Sequence, residues 1–140
     1  MTKTAFLFAG QGAQYLGMGR DLYDRYPIVK ETIDQASQVL GYDLRDLIDK
    51  DETKLNQTRY TQPAILATSV AIYRLLKEKG YLPDMVAGLS LGEYSALVAS
   101  GALDFEEAVA LVAKRGAYME EAAPAGSGKM VAVLNTPVDV

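Results

Sequence analysis

The chain has 140 residues, 49% hydrophobic and 23% charged, with a mean hydropathy of +0.01, which describes one ordinary globular domain and excludes disordered, collagen-like and membrane-spanning classes. A formal net charge of −4 gives no electrostatic footprint for nucleic acid. The absence of Cys and His removes disulfides, thiolate catalysis, Cys-ligated metals and any imidazole base, and it suits a cytoplasmic chain.

In chain order, residues 3–9 form a short apolar run closed by Gly10, which predicts a buried strand. It runs straight into Gly10-Gln11-Gly12 without a small-residue cleavage site, so it is not read as a signal peptide. Gly10 to Gly19 is a glycine-rich loop. Leu22, Tyr26, Val29, Ile33, Ala36 and Leu40 then follow helical spacing, with a break near Tyr26, a new helix from Pro27 and a stop at Gly41. Residues 43–57 predict one or two short surface helices. Thr61-Gln62-Pro63 opens a helix through Lys79, with Thr61 as its N-cap.

Met85-Val86-Ala87 predicts a second buried strand, and a small-residue helix follows to Ser100. Asp104 with Glu107 starts a helix to about Glu121. Ala122 to Gly128 reads as a linker, Lys129 to Leu134 as a third strand, and Asn135-Thr136-Pro137 as a turn. Strands alternating with helices predict an α/β fold with a largely parallel sheet. A final strand and turn without a following partner predict a truncated fold.

Between the second strand and its helix stands Gly88-Leu89-Ser90-Leu91-Gly92, a G-x-S-x-G spacing in strand–turn–helix context. Such a turn projects a serine hydroxyl outward, aims the next amide N–H (Leu91) at an oxygen bonded to Ser90, and adds the positive end of a helix dipole. The competing reading is a tight turn with Ser90 as an N-cap. Gly10-Gln11-Gly12-Ala13-Gln14 follows the first strand, where a parallel sheet gathers its ligand-binding loops. A glycine-flanked amide there could give a second oxyanion donor; a flexible surface loop is the alternative. It is no dinucleotide fingerprint, because Tyr15 occupies the third glycine's place. Gly126-Ser127-Gly128-Lys129 lacks the first glycine and following helix of a phosphate loop. Arg115, beside Lys114, reads by itself as an exposed cation complementing a helix end. No carboxylate cluster has hard-cation loop spacing, so no metal site is expected.

Phe8 to Gln14, Thr61 to Ala64, Gly88 to Ala96 and Val112 to Gly116 together resemble, over essentially the whole chain, the N-terminal part of the malonyl-CoA:acyl carrier protein transacylase family. The resemblance implies an α/β-hydrolase-like large domain over residues 1–124. It also implies a linker and the first strand of a truncated ferredoxin-like subdomain over 125–140. The implied chemistry is ping-pong acyl transfer from a coenzyme A thioester to the phosphopantetheine thiol of an acyl carrier protein, in fatty-acid synthesis, with no bound cofactor. Ser90 matches the nucleophile, the backbone N–H groups of Gln11 and Leu91 match the oxyanion hole, and Arg115 matches the clamp for the malonate carboxylate. Gln62 belongs to a family motif and receives no catalytic step.

Two departures stand out. Leu89 occupies the position where the family usually has His, and the family's general base is a histidine beyond position 140, whereas this chain contains none. A weakly active or inactive chain is therefore expected from an active parent, the parent a monomer and this chain prone to self-association. Other readings are a polyketide-type acyltransferase, which the start at Met1 disfavours, a serine esterase or thioesterase, for which Arg115 has no use, and a catalytically incomplete chain.

Overall fold

The two strands lie side by side in parallel: β1 (Ala5–Phe8) pairs with β2 (Met85–Gly88) in the register Ala5↔Met85 to Phe8↔Gly88. The structure is a computed structural model describing residues 2–137, so residues 138–140 of the expected second unit lie outside the described residues. Phe6 and Phe8 turn one face of β1 toward a helix, each meeting the Tyr73 ring edge-on at 6.4 Å. Leu7, pointing the other way as strand alternation requires, is 80% exposed.

Between the strands run α1 (Arg20–Arg25), α2 (Pro27–Leu40), α3 (Leu44–Lys50), α4 (Glu52–Leu55) and α5 (Thr58–Glu78). The break at Tyr26 is as the pattern predicts: its extended backbone (φ −118°, ψ 115°) is the conformation a residue before proline favours, and Pro27 starts α2 where its missing N–H costs nothing. After β2 come α6 (Leu91–Ser100) and α7 (Phe105–Ala122). Asp104 caps α7 by accepting hydrogen bonds from the N–H groups of Glu106 and Glu107.

The core gathers around α5, which packs most extensively on α7 and α2 and also on α6. Its side chains Ala64, Leu66, Ala67 and Val70 are fully buried, together with Ile33, Leu91, Val109 and Val112 from its neighbours. Four expectations are corrected. The two strands are not buried: Ala5, Leu7, Met85 and Ala87 are exposed and the alternate residues only partly covered, because among the described residues helices pack on one face alone. Helix α5 begins at Thr58 and carries Pro63 inside it, because the Gln57 carbonyl closes an earlier turn by accepting from Tyr60 and Thr61 N–H. Thr61 is thus a buried helical residue whose hydroxyl lies 2.9 Å from the Gln57 carbonyl oxygen. The helices over 43–57 are more than surface decoration, since Leu44, Ile48 and Leu55 are core residues. Residues 129–134 form no strand: no described segment offers them a ladder, and Met130, Val131, Val133 and Leu134 are all exposed.

Candidate active site

The parallel register brings the C-terminal ends of β1 and β2 to one edge, so the loops beginning at Gly10 and at Leu89 run alongside each other. A Cβ built on Gly10 would stand 2.7 Å from the Leu89 carbonyl oxygen and 3.8 Å from Ser90 Cβ. Gly88 and Gly92 are needed for the same reason. A Cβ on Gly88 would collide with the Gly92 carbonyl at 2.0 Å, and one on Gly92 with the Phe8 oxygen at 2.1 Å. None of these three glycines has positive φ. They serve close approach, seating the start of α6 directly on the ends of both strands.

The conformational cost falls instead on Ser90, with φ 53° and ψ −114°, a sparsely populated region for a side-chain-bearing residue. Its side chain makes no capping hydrogen bond, so the N-cap reading does not hold. Ser90 is exposed, and its Oγ accepts a hydrogen bond from Arg115 Nη2 at 3.2 Å. The next amide, that of Leu91, opens α6 and donates to no described protein acceptor, and neither does the amide of Gln11.

The Gln11 loop is pinned rather than free. Gln11 Nε2 donates to Thr58 Oγ1 at 3.0 Å, the Gly12 N–H to Gln14 Oε1 at 2.8 Å, and Gln14 Nε2 to Asn56 Oδ1 at 2.9 Å. These anchors sit at the start of α5, in or just before the turn that the sequence pattern leaves out of the helix.

Arg115 does not lie exposed at a helix end, as its sequence context alone suggests. It is half-buried, within α7, with Nη1 donating to Gln62 Oε1 at 2.8 Å and its guanidinium carbon 5.3 Å from the centre of the Tyr94 ring. It forms no ion pair with a described carboxylate, whereas Arg20, Arg45 and Arg59 all do. Its charge is therefore available next to the serine hydroxyl. Helix α7 is fixed onto α5 farther along: Arg59 donates to Glu120 through N–H at 2.9 Å and through Nε at 2.6 Å. Burial raises the Glu120 pKa, but these two bonds outweigh it and hold the carboxyl below its ordinary range.

The structure thus brings Ser90, Arg115 and the Gly10–Gln11 loop together. Two further contributors, Gln62 and Tyr94, stand within the sequence motifs but receive no role from the sequence alone. Gln62, the last polar residue before the apolar stretch of α5 and fully buried in the fold, could have been suspected from its place at the edge of that stretch, and Tyr94 from its position one helical turn after Ser90 on α6. Among the described residues, no group of three or more Asp, Glu, His or Cys could hold a metal, and no helix is long and apolar enough to cross a membrane.

A parallel strand pair that seats a strained serine at a strand–helix turn, with a guanidinium that pairs with no described carboxylate beside its hydroxyl, is the arrangement of a nucleophile elbow. The chain belongs to the acyl transferase domain family, whose pattern matches residues 5–140. It is 52% identical, over 96% of its length, to the malonyl CoA-acyl carrier protein transacylase of Bacillus subtilis, of which it covers 43%. It is 91% identical to the crystal structure of MCAT from Streptococcus pneumoniae, with a TM-score of 0.94, over 99% of this chain and 45% of that one. A malonyl-transacylase solved in complex with its type II PKS acyl-carrier protein is 52% identical, with a TM-score of 0.85, over 88% of this chain and 40% of that one. The chain therefore spans less than half the length of the relatives it matches.

Proposed function

We propose that this chain carries the nucleophile and the carboxylate clamp of a malonyl transferase that moves malonyl groups from malonyl-CoA to the phosphopantetheine thiol of an acyl carrier protein. The observation that carries this reading is the Arg115–Ser90 contact, a cation with no carboxylate partner among the described residues 3.2 Å from the candidate nucleophile. A simple acyl ester needs no such charge, whereas the free carboxylate of a malonyl thioester matches it. The malonyl CoA-acyl carrier protein transacylase activity of the relatives and the carrier-protein complex of one of them support the same substrates.

In the first half-reaction Ser90 Oγ attacks the thioester carbonyl carbon. The carbonyl oxygen takes up the negative charge and is held by the amide N–H groups of Gln11 and Leu91. Collapse breaks the carbon–sulfur bond, leaves malonyl on Ser90, and passes the serine proton by way of a base to the departing coenzyme A thiolate. The second half-reaction reverses this path with the carrier's thiol as nucleophile, and the proton returns to Ser90. Arg115 fixes the free carboxylate throughout. The base belongs to the histidine that the resemblance places beyond position 140, since this chain contains no His. Acylation on this chain is then slow, and the chain is catalytically incomplete.

In this reading residues 1–124 form part of an α/β-hydrolase-like domain, and 125–140 lead into a ferredoxin-like subdomain. The enzyme works in the cytoplasm on a coenzyme A thioester as substrate, without a bound cofactor. The exposed Leu7, Met85 and Leu89 around the strands favour self-association of this chain.

Intact-mass spectrometry of the chain after incubation with malonyl-CoA tests the reading, beside S90A and an acetyl-CoA control. The expected result is a malonyl adduct confined to Ser90, slower to form with acetyl. Equal labelling by both thioesters, or labelling of S90A, would overturn it.

A further inference from the structure

We infer that Gln62 is the positioning residue for Arg115 and that its neutrality, as much as its shape, sets the preference for a carboxylate-bearing acyl group. The inference rests on the reading of Arg115 given above and extends it to a residue with no assigned role.

Gln62 is fully buried on α5, where a polar amide needs partners for both ends. Its Oε1 accepts from Arg115 Nη1 at 2.8 Å, and its Nε2 donates to Met119 Sδ at 3.2 Å. A guanidinium offers only donors, so the amide must present its oxygen there, and the NH₂ is left facing the thioether. Arg115 and Met119 are one helical turn apart on α7. Gln62 therefore spans two successive turns of α7 from the neighbouring helix, and a rotation or slip of α7 breaks both contacts together. With Tyr94 against the guanidinium carbon and Gln62 on Nη1, the remaining edge of the fork is directed at Ser90.

The choice of an amide matters electrostatically. A glutamate here would supply the same acceptor geometry but would form a buried ion pair with Arg115 and neutralise it. The cation would then be spent within the protein instead of meeting the substrate's carboxylate. An amide orients the guanidinium while leaving its full charge for the ligand.

The test uses the 140-residue chain with ¹⁵N-labelled arginine, the Arg115 signals assigned by their loss in R115K. Slowed rotation of the Arg115 guanidinium is expected in wild type and should be lost in Q62M, which keeps the volume but removes the acceptor. Q62E should retain slowed rotation yet reduce the malonyl-over-acetyl ratio of Ser90 acylation by about tenfold, the scale of one charge-assisted hydrogen bond. Q62M added to R115A should change that ratio no further, because Gln62 acts through Arg115. A freely rotating Arg115 in wild type, an unchanged signal in Q62M, or a Q62E chain with undiminished selectivity would each overturn the inference. Should Q62M fail to fold, the isosteric Q62E carries the test through its selectivity. If R115A itself leaves selectivity untouched, the malonyl reading fails, and the rotation measurement still decides whether Gln62 orients Arg115.

Discussion

Gly116 of α7 lies directly against the backbone of Thr58 on α5: a Cβ at Gly116 would stand 2.7 Å from the Thr58 carbonyl oxygen and 2.8 Å from Arg59 Cα. This is a close approach of the two helices that carry Arg115 and Gln62, and it is backbone against backbone, so no side chain can swing aside. Gly116→Ala must push α7 away from α5. The expected cost is about 1–3 kcal/mol, the range for overpacking a close contact, measured by urea unfolding. Because Arg115 is the adjacent residue, the same variant should lose selectivity for malonyl over acetyl in Ser90 acylation. A variant that is destabilised but fully selective would show that the clamp does not depend on this crossing.

Removal of the cation is the sharper chemical test. Arg115→Ala should lower the rate of malonyl acylation of Ser90 by roughly 10–100-fold, the equivalent of about 1.5–3 kcal/mol for a hydrogen bond to a charged group. Acetyl acylation should change little, since acetyl presents no carboxylate. Paired rate measurements with malonyl-CoA and acetyl-CoA decide it, and equal losses would remove Arg115 from the substrate's path.

The positions of Ser90 and Arg115 were differently legible in the sequence. The G-x-S-x-G spacing between an apolar run and a small-residue helix carries its own geometry, because only a sharp strand-to-helix turn accommodates it. Arg115 had no such local signature: its role arises from the packing of α7 on α5, a long-range event that spacing does not encode. The start of α5 was missed for a related reason. Proline preference places Pro63 at a helix start, yet Tyr60 and Thr61 close an earlier turn on the Gln57 carbonyl, and that turn carries Thr58 and Arg59 into contact with Gln11, Gly116 and Glu120. The apolar run at 129–134 satisfied the strand pattern but lacks a described neighbour to supply its ladder, which no local pattern can reveal.

The elbow's strain makes a prediction about stability independent of activity. Ser90 holds φ 53° with ψ −114°, at a cost of order 1–3 kcal/mol for a residue bearing a Cβ. Glycine relieves that cost but gives back part of it through a more disordered unfolded chain, about 0.4–1 kcal/mol. Ser90→Gly should therefore be more stable than Ser90→Ala by about 1 kcal/mol, although neither can be acylated. Denaturant midpoints of the two variants measured side by side check this. An alanine variant at least as stable as the glycine one would mean the backbone at position 90 is relaxed.

The acid side of the stability profile should be set in part by Asp49. Burial raises its pKa, but hydrogen bonds from Arg45 and Arg20 outweigh that and leave it below the ordinary carboxylate range. Arg45 Nε donates to Asp49 Oδ2 at 3.0 Å, its Nη1 donates to the Met18 carbonyl at 3.1 Å, and its side chain is only 7% exposed. A carboxyl with a folded pKa below its unfolded one contributes stability that is complete above the unfolded value and is lost as pH falls through the folded value. Thermal unfolding of wild type should therefore lose stability as pH drops from about 5 toward the folded value, the unfolded reference being about 3.9. Asp49→Asn should be less stable at neutral pH by up to about 3 kcal/mol, because it leaves a buried guanidinium without its countercharge. It should also show a shallower decline in acid, the two curves converging at low pH. Parallel curves for wild type and Asp49→Asn would assign the acid sensitivity to other carboxylates, Glu120 on Arg59 first among them.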